Sequence, residues 1–248
     1  MIDFIARFWD VYLLGLGVSF IVSIGTIVIS ISVGTLIALG RRSTSRILST
    51  ISSIYVAVFR AVPPLLALYI VYFGLPTWAM RTGSEVIYRL FSPLDNRIIA
   101  ATIALAFVSS AYSSEIIRAA MSSVPDTQLE AARSIGMTYA LAFRRVIAPQ
   151  AARIAFPPLG NEYIGVLKST SLASVIGLVE LMRAAQIAAG ATFQNLLAYS
   201  MAGAYYIVFV IILQTILTRI ERRFPGGSVR NQKRVLSLDR SVTQSSGN

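Results

Sequence analysis

Four stretches of this sequence contain no Asp, Glu, Lys or Arg and have the length of a membrane span. They are Val11–Gly40, Ala61–Met80, Ile98–Ser114 and Ala184–Thr218. A transmembrane α-helix needs about 20 predominantly apolar residues, because the hydrocarbon core of a bilayer is about 30 Å thick. Only 13% of all residues are charged, roughly half the fraction that is typical of soluble domains. The sequence therefore predicts an all-α, polytopic membrane protein.

A fifth candidate span, Leu159–Leu178, is less regular than the other four. It contains two charged side chains, Glu162 and Lys168, and two prolines, Pro157 and Pro158, stand just before it. Proline removes a backbone donor and disfavours the interior of a helix, so an unbroken helix is not expected here. Hydropathy alone does not decide whether this segment crosses the membrane.

The basic residues distinguish four spans from five, because short cytoplasmic loops are enriched in Lys and Arg. With five spans, fifteen basic residues fall on the side of the C-terminus and five on the side of the N-terminus. The five are Arg7, Arg81, Arg89, Arg97 and Arg183. With four spans, the basic C-terminal tail and the basic loop at about 121–156 would face opposite sides, against the rule. Five spans, an N-terminus outside and a C-terminus in the cytoplasm are therefore predicted.

Composition also excludes several classes of function. The net charge of +11 does not indicate a nucleic-acid-binding protein, because the basic residues border the candidate spans or lie near the C-terminus. The chain has no Cys and no His, which excludes thiol chemistry and removes the commonest metal ligand. It has no G-x-x-x-x-G-K-[ST] sequence for binding nucleotide phosphates. We expect no catalytic residue, metal site or cofactor in this chain, and any ATP chemistry in a partner.

The polar loop at about 121–156 contains the segment EAARSIGMTYALAFRRVIAP, which is Glu130–Pro149. Pro125 favours the start of a helix, and Thr127 and Glu130 have the spacing of a capping box. Gly136 favours a left-handed C-cap that ends the helix after a few turns. In the predicted helix, Ala131 and Ile135 share one face, whereas another face carries Leu129, Ala132 and Arg133. By itself, this pattern fits an ordinary helical hairpin between two spans as well as a docking element.

The segment resembles the EAA loop of ABC-importer permeases, the membrane subunits that a separate cytoplasmic ATPase drives. The neighbouring PPLGNEYIGVLKSTSLASVIG, Pro157–Gly177, is similar to permeases of the polar amino acid uptake family, which includes histidine-, glutamine- and opine-type permeases. FRAVPPLL, Phe59–Leu66, is a weaker match. The departures from the family pattern are Val146 and Ala148 for the usual Ile and Leu, and Ala61 and Val62 for the common Gly and Thr.

The resemblance implies a permease of five spans that forms the translocation path for polar amino acids or related compounds in the bacterial inner membrane. Its implied partners are a dimer of ABC ATPases that binds ATP and Mg²⁺, a second copy or a paralogous permease, an extracytoplasmic (periplasmic) amino-acid-binding protein, and membrane lipid. The loop helix would dock in a groove of the ATPase. The implied coupling residues are Glu130, Ala131, Ala132, Arg133, Gly136 and Pro149. Residues 1–224 would form the permease domain, and the polar segment 225–248 a mobile cytoplasmic tail.

Ionisable side chains inside a span cost several kcal/mol unless they are paired or hydrated, so they indicate a transport path. A zwitterionic amino acid needs donors for its carboxylate and acceptors for its ammonium group, and the fifth candidate span offers both. The predicted path residues are Asn161, Glu162, Lys168, Ser169 and Ser171. In the alternative interpretation, Glu162 and Lys168 pair with Arg60, Glu115 or Glu180 and only hold the bundle together.

Two other classes of function remain to be distinguished at this stage. An ion-coupled secondary transporter would show inverted repeats, and the sequence has no internal repeat of useful length. A membrane scaffold or sensor subunit would leave Glu162 and Lys168 without a purpose. The EAA resemblance favours an ATP-driven importer over both.

Overall fold

The computed structural model describes residues 2–223 as a bundle of helices. The tail that we predicted at 225–248 lies outside the described residues. The α-helices are α1 (Ile2–Arg41), α2 (Arg46–Ala61), α3 (Pro64–Tyr69), α4 (Leu75–Arg81), α5 (Glu85–Phe91), α6 (Arg97–Ser122), α7 (Asp126–Ser134), α8 (Tyr139–Ala142), α9 (Ala148–Ser169), α10 (Leu181–Thr192) and α11 (Asn195–Arg223). The π-helical segments Ile70–Gly74 and Phe143–Ile147 join α3 to α4 and α8 to α9, and the 3₁₀ segments Ser92–Asp95 and Thr170–Ile176 follow α5 and α9.

Three helices, α1, α6 and α11, are long and apolar enough to cross a membrane. Two further candidate spans are bent pairs of helices. In the first, α2 meets Pro64–Arg81 at 103°, and in the second, Tyr139–Ile176 meets α10 at 47°. If each pair is one span, the described chain has the five spans that the charge distribution predicts.

The charge-free run Ala184–Thr218 divides between two spans, which corrects our interpretation of it as one. Its first part lies in α10, which belongs to the second bent pair, and only α11 forms a span of its own. The break is at Phe193, which adopts a left-handed backbone with φ of 58°. A non-glycine residue rarely adopts this conformation, and neither charge nor proline marks the position in the sequence.

The prolines at 157 and 158 do not break the helix, contrary to our expectation. The α9 helix continues through both of them to Ser169. Gly160, just beyond, is buried where a Cβ would lie 3.2 Å from the side chain of Leu217. Packing against α11 thus holds this turn helical although two backbone donors are missing. The interruption falls instead after Ser169, where the 3₁₀ segment ends at Gly177 with a left-handed φ of 76°.

The long helix α1 organises the bundle. Its 40 residues extend about 60 Å at 1.5 Å per residue, and it packs successively against α10 and α11, against α6, and against α6 and α9. Small polar side chains make close contacts of α1 with its neighbouring helices possible. The fully buried ones on α1 are Ser19, Ser23, Thr26 and Ser30. Small residues at helical spacing let backbones approach where lipid supplies no hydrophobic driving force.

Candidate functional site

A polar cavity of about 240 Å³ lies between α6, α9 and the start of α3. Its polar lining comes from Ser109 and Tyr112 on α6 and from Glu162 and Ser169 on α9. The apolar lining consists of Pro64, Leu105, Val108 and Val166, with Gly165 leaving space on the wall of α9. On α9, positions 162, 165, 166 and 169 share one helical face, so the period of the helix places them together.

Glu162 is the charged group of this cavity. Its Oε1 atom accepts a hydrogen bond from the hydroxyl of Ser109 at 2.7 Å. Within residues 3–222, no Lys or Arg lies within 4.0 Å of its carboxylate. Because it accepts one hydrogen bond and has no neighbouring cation, this carboxyl group has unused acceptor positions, and a ligand's ammonium group could supply both the donors and the opposite charge.

In the alternative interpretation, Glu162 and Lys168 pair with Arg60, Glu115 or Glu180. In the structure, Glu115 and Glu180 have other partners. Glu115 forms ion pairs with Arg41 and Arg118, the latter at 2.8 Å. Glu180 is fully buried and accepts hydrogen bonds from the backbone N–H groups of Met182 and Arg183, both at 2.8 Å. These carboxylates therefore stabilise the bundle, whereas Glu162 does not take part in such a pairing in the described chain.

The structure brings together only part of the predicted path. Glu162 and Ser169 line the cavity, whereas Asn161 and Lys168 are exposed on the adjacent face of α9. They are seven residues apart and hence share a face that is rotated away from Glu162. Ser171 lies past the end of α9, where its hydroxyl donates to the carbonyl of Lys168 at 2.8 Å.

Sequence reasoning missed Ser109 and Tyr112. Both lie on α6, in the charge-free run Ile98–Ser114, where serine and tyrosine are common in any helical bundle. Their spacing of three residues places them on one face. No sequence signal shows that this face meets Glu162, because Ser109 and Glu162 are 53 residues apart along the chain.

A second cavity, of about 480 Å³, lies towards the α1 end that carries Arg41. It is lined by Arg41, Ser53, Val56, Ala57, Arg60, Ala61, Tyr112 and Glu115. Tyr112 lines this cavity and the first one. The guanidinium carbon of Arg60 lies 5.4 Å from the centre of the Tyr112 ring, within the range of a cation–π contact.

The loop helix α7 forms as predicted, but its start differs. Pro125 is the N-cap residue, and Thr127 lies inside the helix, so the predicted capping box does not form. Its end agrees with the prediction, since Gly136 has a left-handed φ of 87°. The Gly136 N–H donates to the carbonyl of Arg133 at 3.0 Å, and the Met137 N–H to that of Ala132 at 3.2 Å. These two bonds define a Schellman motif, which requires a residue such as glycine at this position.

The predicted coupling residues fall on two sides of the loop. Glu130, Ala131, Arg133, Gly136 and Pro149 are exposed. Ala132 is 5% exposed and faces the bundle. The neighbouring Ile135, at the C-terminal end of α7, is 75% exposed.

Comparisons with known proteins agree with this architecture. Residues 27–225 match the family described as "Binding-protein-dependent transport system inner membrane component". The probable amino-acid permease protein YxeN of Bacillus subtilis is 33% identical over 89% of this chain and 94% of its own length. The histidine/lysine/arginine/ornithine transport system permease protein HisQ of Escherichia coli is 32% identical over 90% of this chain and 97% of its own. A solved structure described as an amino acid ABC transporter with histidines superimposes with a TM-score of 0.77 and 35% identity, covering 88% of this chain and 96% of that one.

Proposed function

Because the chain belongs to the family of binding-protein-dependent transport system inner membrane components and is a transmembrane permease subunit of an ABC importer, we propose that it carries polar amino acids or related compounds. The same matches confirm the resemblance to polar amino acid uptake permeases. The chain is a multi-pass inner-membrane protein, and its family implies an ATPase and a binding protein as partners in general. What we propose for this chain is its substrate class, polar amino acids or related compounds.

The Glu162 cavity is the observation that carries this proposal. A volume of about 240 Å³ is of the order of a small solute, and the wall combines a carboxylate with hydroxyl groups. The carboxylate of Glu162 would accept hydrogen bonds from the ammonium group of an amino acid, since charge-assisted bonds are stronger than neutral ones. The adjacent face of α9 carries Asn161 and Lys168. These two side chains would contact the carboxylate of a substrate that reaches beyond the cavity, or of one bound between this chain and a second permease.

The proposed link to ATP hydrolysis is α7. Its exposed residues Glu130, Ala131, Arg133 and Ile135 would contact the ATPase, and Ala132 would instead fix the helix to the bundle. The Schellman motif at Gly136 supports this role because it ends the helix at a defined residue. Force from a closing ATPase dimer would then pass through α8 and the Phe143–Ile147 segment into α9, which carries Glu162. In this mechanism ATP and Mg²⁺ are bound by the ATPase, and the permease performs no covalent step.

Transport follows from differential binding. A ligand shifts a two-state equilibrium only by its difference in affinity for the two states. We propose that the ATP-bound ATPase favours the state open to the binding protein, and that hydrolysis restores the state open to the cytoplasm. The further proposed features are a pair of ATPase subunits, a second copy or a paralogous permease, and an N-terminus outside the cytoplasm. The apolar side chains exposed along α11, such as Ile207 and Ile211, would face lipid or the second permease.

ATP-dependent uptake in proteoliposomes tests the proposal. The permease would be reconstituted with its ATPase and binding protein and assayed with a panel of radiolabelled amino acids. Ala131→Glu and Gly136→Asp each change the exposed loop and leave the Glu162 cavity intact. We expect uptake that needs ATP in the wild type and is lost in both variants, while solute binding to the purified permease is retained. Uptake without ATP, or uptake that survives both substitutions, would contradict the proposed coupling and favour a secondary transporter.

A further inference from the structure

The two cavities of this permease meet at one side chain. Tyr112 lines the cavity of Glu162 and also the larger cavity that carries Arg41 and Arg60. It is the residue that the two linings have in common. Tyr112 therefore stands at the boundary between the two cavities.

The chain between α2 and α3, where the first bent pair of helices turns, also lies beside Tyr112. Arg60 and Ala61, at the end of α2, line the larger cavity, whereas Pro64, at the start of α3, lines the smaller one. Between them the chain turns by 103°. The corner between α2 and α3 thus forms part of the wall on both sides of Tyr112.

Arg60 holds the tyrosine from this corner. Its guanidinium carbon lies 5.4 Å from the ring centre, and the Tyr112 hydroxyl donates to the Arg60 carbonyl at 3.5 Å, a long hydrogen bond. The acidic residue of the same cavity, Glu115, is already paired with Arg41 and Arg118. Within residues 3–222, no carboxylate lies within 4.0 Å of Arg60. Its charge is therefore available to the ring.

We propose that Tyr112, held by Arg60, is the partition between the Glu162 cavity and the arginine-lined cavity, and that transport requires the ring to leave this position. Movement of α2 relative to α3 carries Arg60 away from the ring. A solute carboxylate in the larger cavity competes for the same guanidinium and so weakens its contact with Tyr112. This inference rests on the proposed function, because it assigns a barrier within the same path.

The absence of cysteine from the sequence makes the partition testable by labelling. Ser169→Cys places a thiol in the smaller cavity, and Ser53→Cys places one in the larger cavity. Each single-cysteine permease, assembled with its ATPase in inside-out vesicles, would be treated with a membrane-impermeant maleimide without ATP or solute. Mass spectrometry of this chain then gives the rate of labelling at each position.

We expect Tyr112→Ala to raise the rate at Ser169→Cys about tenfold, as the loss of a ring held by one cation–π contact implies. Tyr112→Leu, which keeps apolar volume without an aromatic face for Arg60, should also raise it, as should Arg60→Gln. Arg60→Lys keeps the ring and the cation and should label like the parent. Tyr112→Phe keeps the cation–π contact and loses only the long hydrogen bond to the Arg60 carbonyl, so its rate should stay close to that of the parent. The rate at Ser53→Cys should be the same in all five backgrounds.

Two outcomes would overturn the partition. One is an unchanged rate at Ser169→Cys in both Tyr112→Ala and Tyr112→Leu. The other is an equal rise at Ser53→Cys, which would show a general loosening of the bundle. Labelling needs no knowledge of the substrate, so a failed uptake assay combined with the expected labelling pattern would reject the proposed substrate class and leave the partition standing.

Discussion

At the scale of single residues, two carboxylates in the membrane region differ in how completely they are satisfied. Glu180 is fully buried, and its oxygens accept bonds from two backbone N–H groups and from the Tyr206 hydroxyl. Glu162 accepts one bond, from Ser109, and borders a cavity. A satisfied buried group fixes structure, whereas a partly satisfied group in a cavity is available to a ligand.

Replacing Glu162 by Gln tests its role in transport. The amide keeps the volume and an acceptor for Ser109 but removes the charge, and hydrogen bonds to charged groups contribute ~1.5–3 kcal/mol. We therefore expect solute uptake at subsaturating concentration to fall by about tenfold or more. Glu85→Gln, which changes a surface ion pair with Arg89, is the matched control and should transport normally. Unaltered uptake of every amino acid in the Glu162 variant would show that the cavity does not bind the substrate through this carboxylate.

Replacing Glu180 tests its structural role. Glu180→Ala leaves the N–H groups of Met182 and Arg183 without their acceptor, and each buried unsatisfied group costs ~1–3 kcal/mol. Tyr206→Phe removes only one of the bonds to the carboxylate and should cost about 1 kcal/mol. In thermal unfolding of the detergent-solubilised permease, we expect Glu180→Ala to lower the midpoint clearly more than Tyr206→Phe. Equal midpoints for Glu180→Ala and the parent would mean that solvent replaces the cap without loss.

At the scale of elements, close approach of the backbones fixes where α1 meets the start of α10. A Cβ at Gly15 on α1 would lie 2.9 Å from the backbone carbonyl carbon and oxygen of Glu180. Leu181, the first residue of α10, donates its N–H to the Ser19 hydroxyl at 3.3 Å. The start of α10 is therefore fixed against α1 by small residues, which explains how the interruption after α9 keeps a defined geometry.

Two glycines of α1 form a matched pair for testing this contact. Gly15→Ala places a methyl group against the backbone at Glu180, and overpacking of this kind costs ~1–3 kcal/mol. Gly17→Ala, two residues along the same helix, meets nothing within 4 Å. We expect the midpoint of thermal unfolding to fall for Gly15→Ala and to stay the same or rise for Gly17→Ala. The close approach of α1 to the start of α10 would be contradicted by an equal response of the two variants.

At the scale of the whole molecule, the basic residues of the loops predict an orientation in the membrane. With five spans, fifteen basic residues fall on the side of the loop that contains α7, whereas five fall on the side of α5. The positive-inside rule then predicts α7 in the cytoplasm and α5 outside. This arrangement is also the one in which an ATPase could reach the exposed surface of α7.

Cysteine labelling in sealed right-side-out vesicles tests this orientation. Val86, on α5, is 78% exposed, and Ser134, at the end of α7, is also exposed. A membrane-impermeant reagent should label Val86→Cys in sealed vesicles and Ser134→Cys only after permeabilisation. The five-span topology requires opposite responses, so labelling of both positions in sealed vesicles would place the two loops on one side and reject it.

The site was predictable from the sequence only along one helix. Glu162 stood out because a charge in an apolar run is costly, and that cost applies whatever the helix packs against. Ser109 and Tyr112 carry no such cost, since a hydroxyl in a helix can donate to its own backbone, as Ser110 does to the Phe107 carbonyl at 2.9 Å. Asn161 and Lys168 were assigned to the path by proximity in sequence, but the helical period turns them away from Glu162.

The sequence by itself determined the class of the protein and the end of the loop helix at Gly136, and it predicted five spans, which the structure matches if each bent pair of helices is one span. These features depend on local or additive properties, namely the transfer of apolar residues into lipid, the count of charges at the ends of spans, and the left-handed backbone that glycine tolerates. Only the tertiary structure decided that α9 continues through Pro157 and Pro158, that the chain breaks at Phe193, and that Tyr112 stands between two cavities. Each of these depends on contacts between helices that are distant along the chain, such as Gly160 with Leu217 or Tyr112 with Arg60. Contact energies of this kind exceed the local preferences of the backbone, and the local sequence does not encode them.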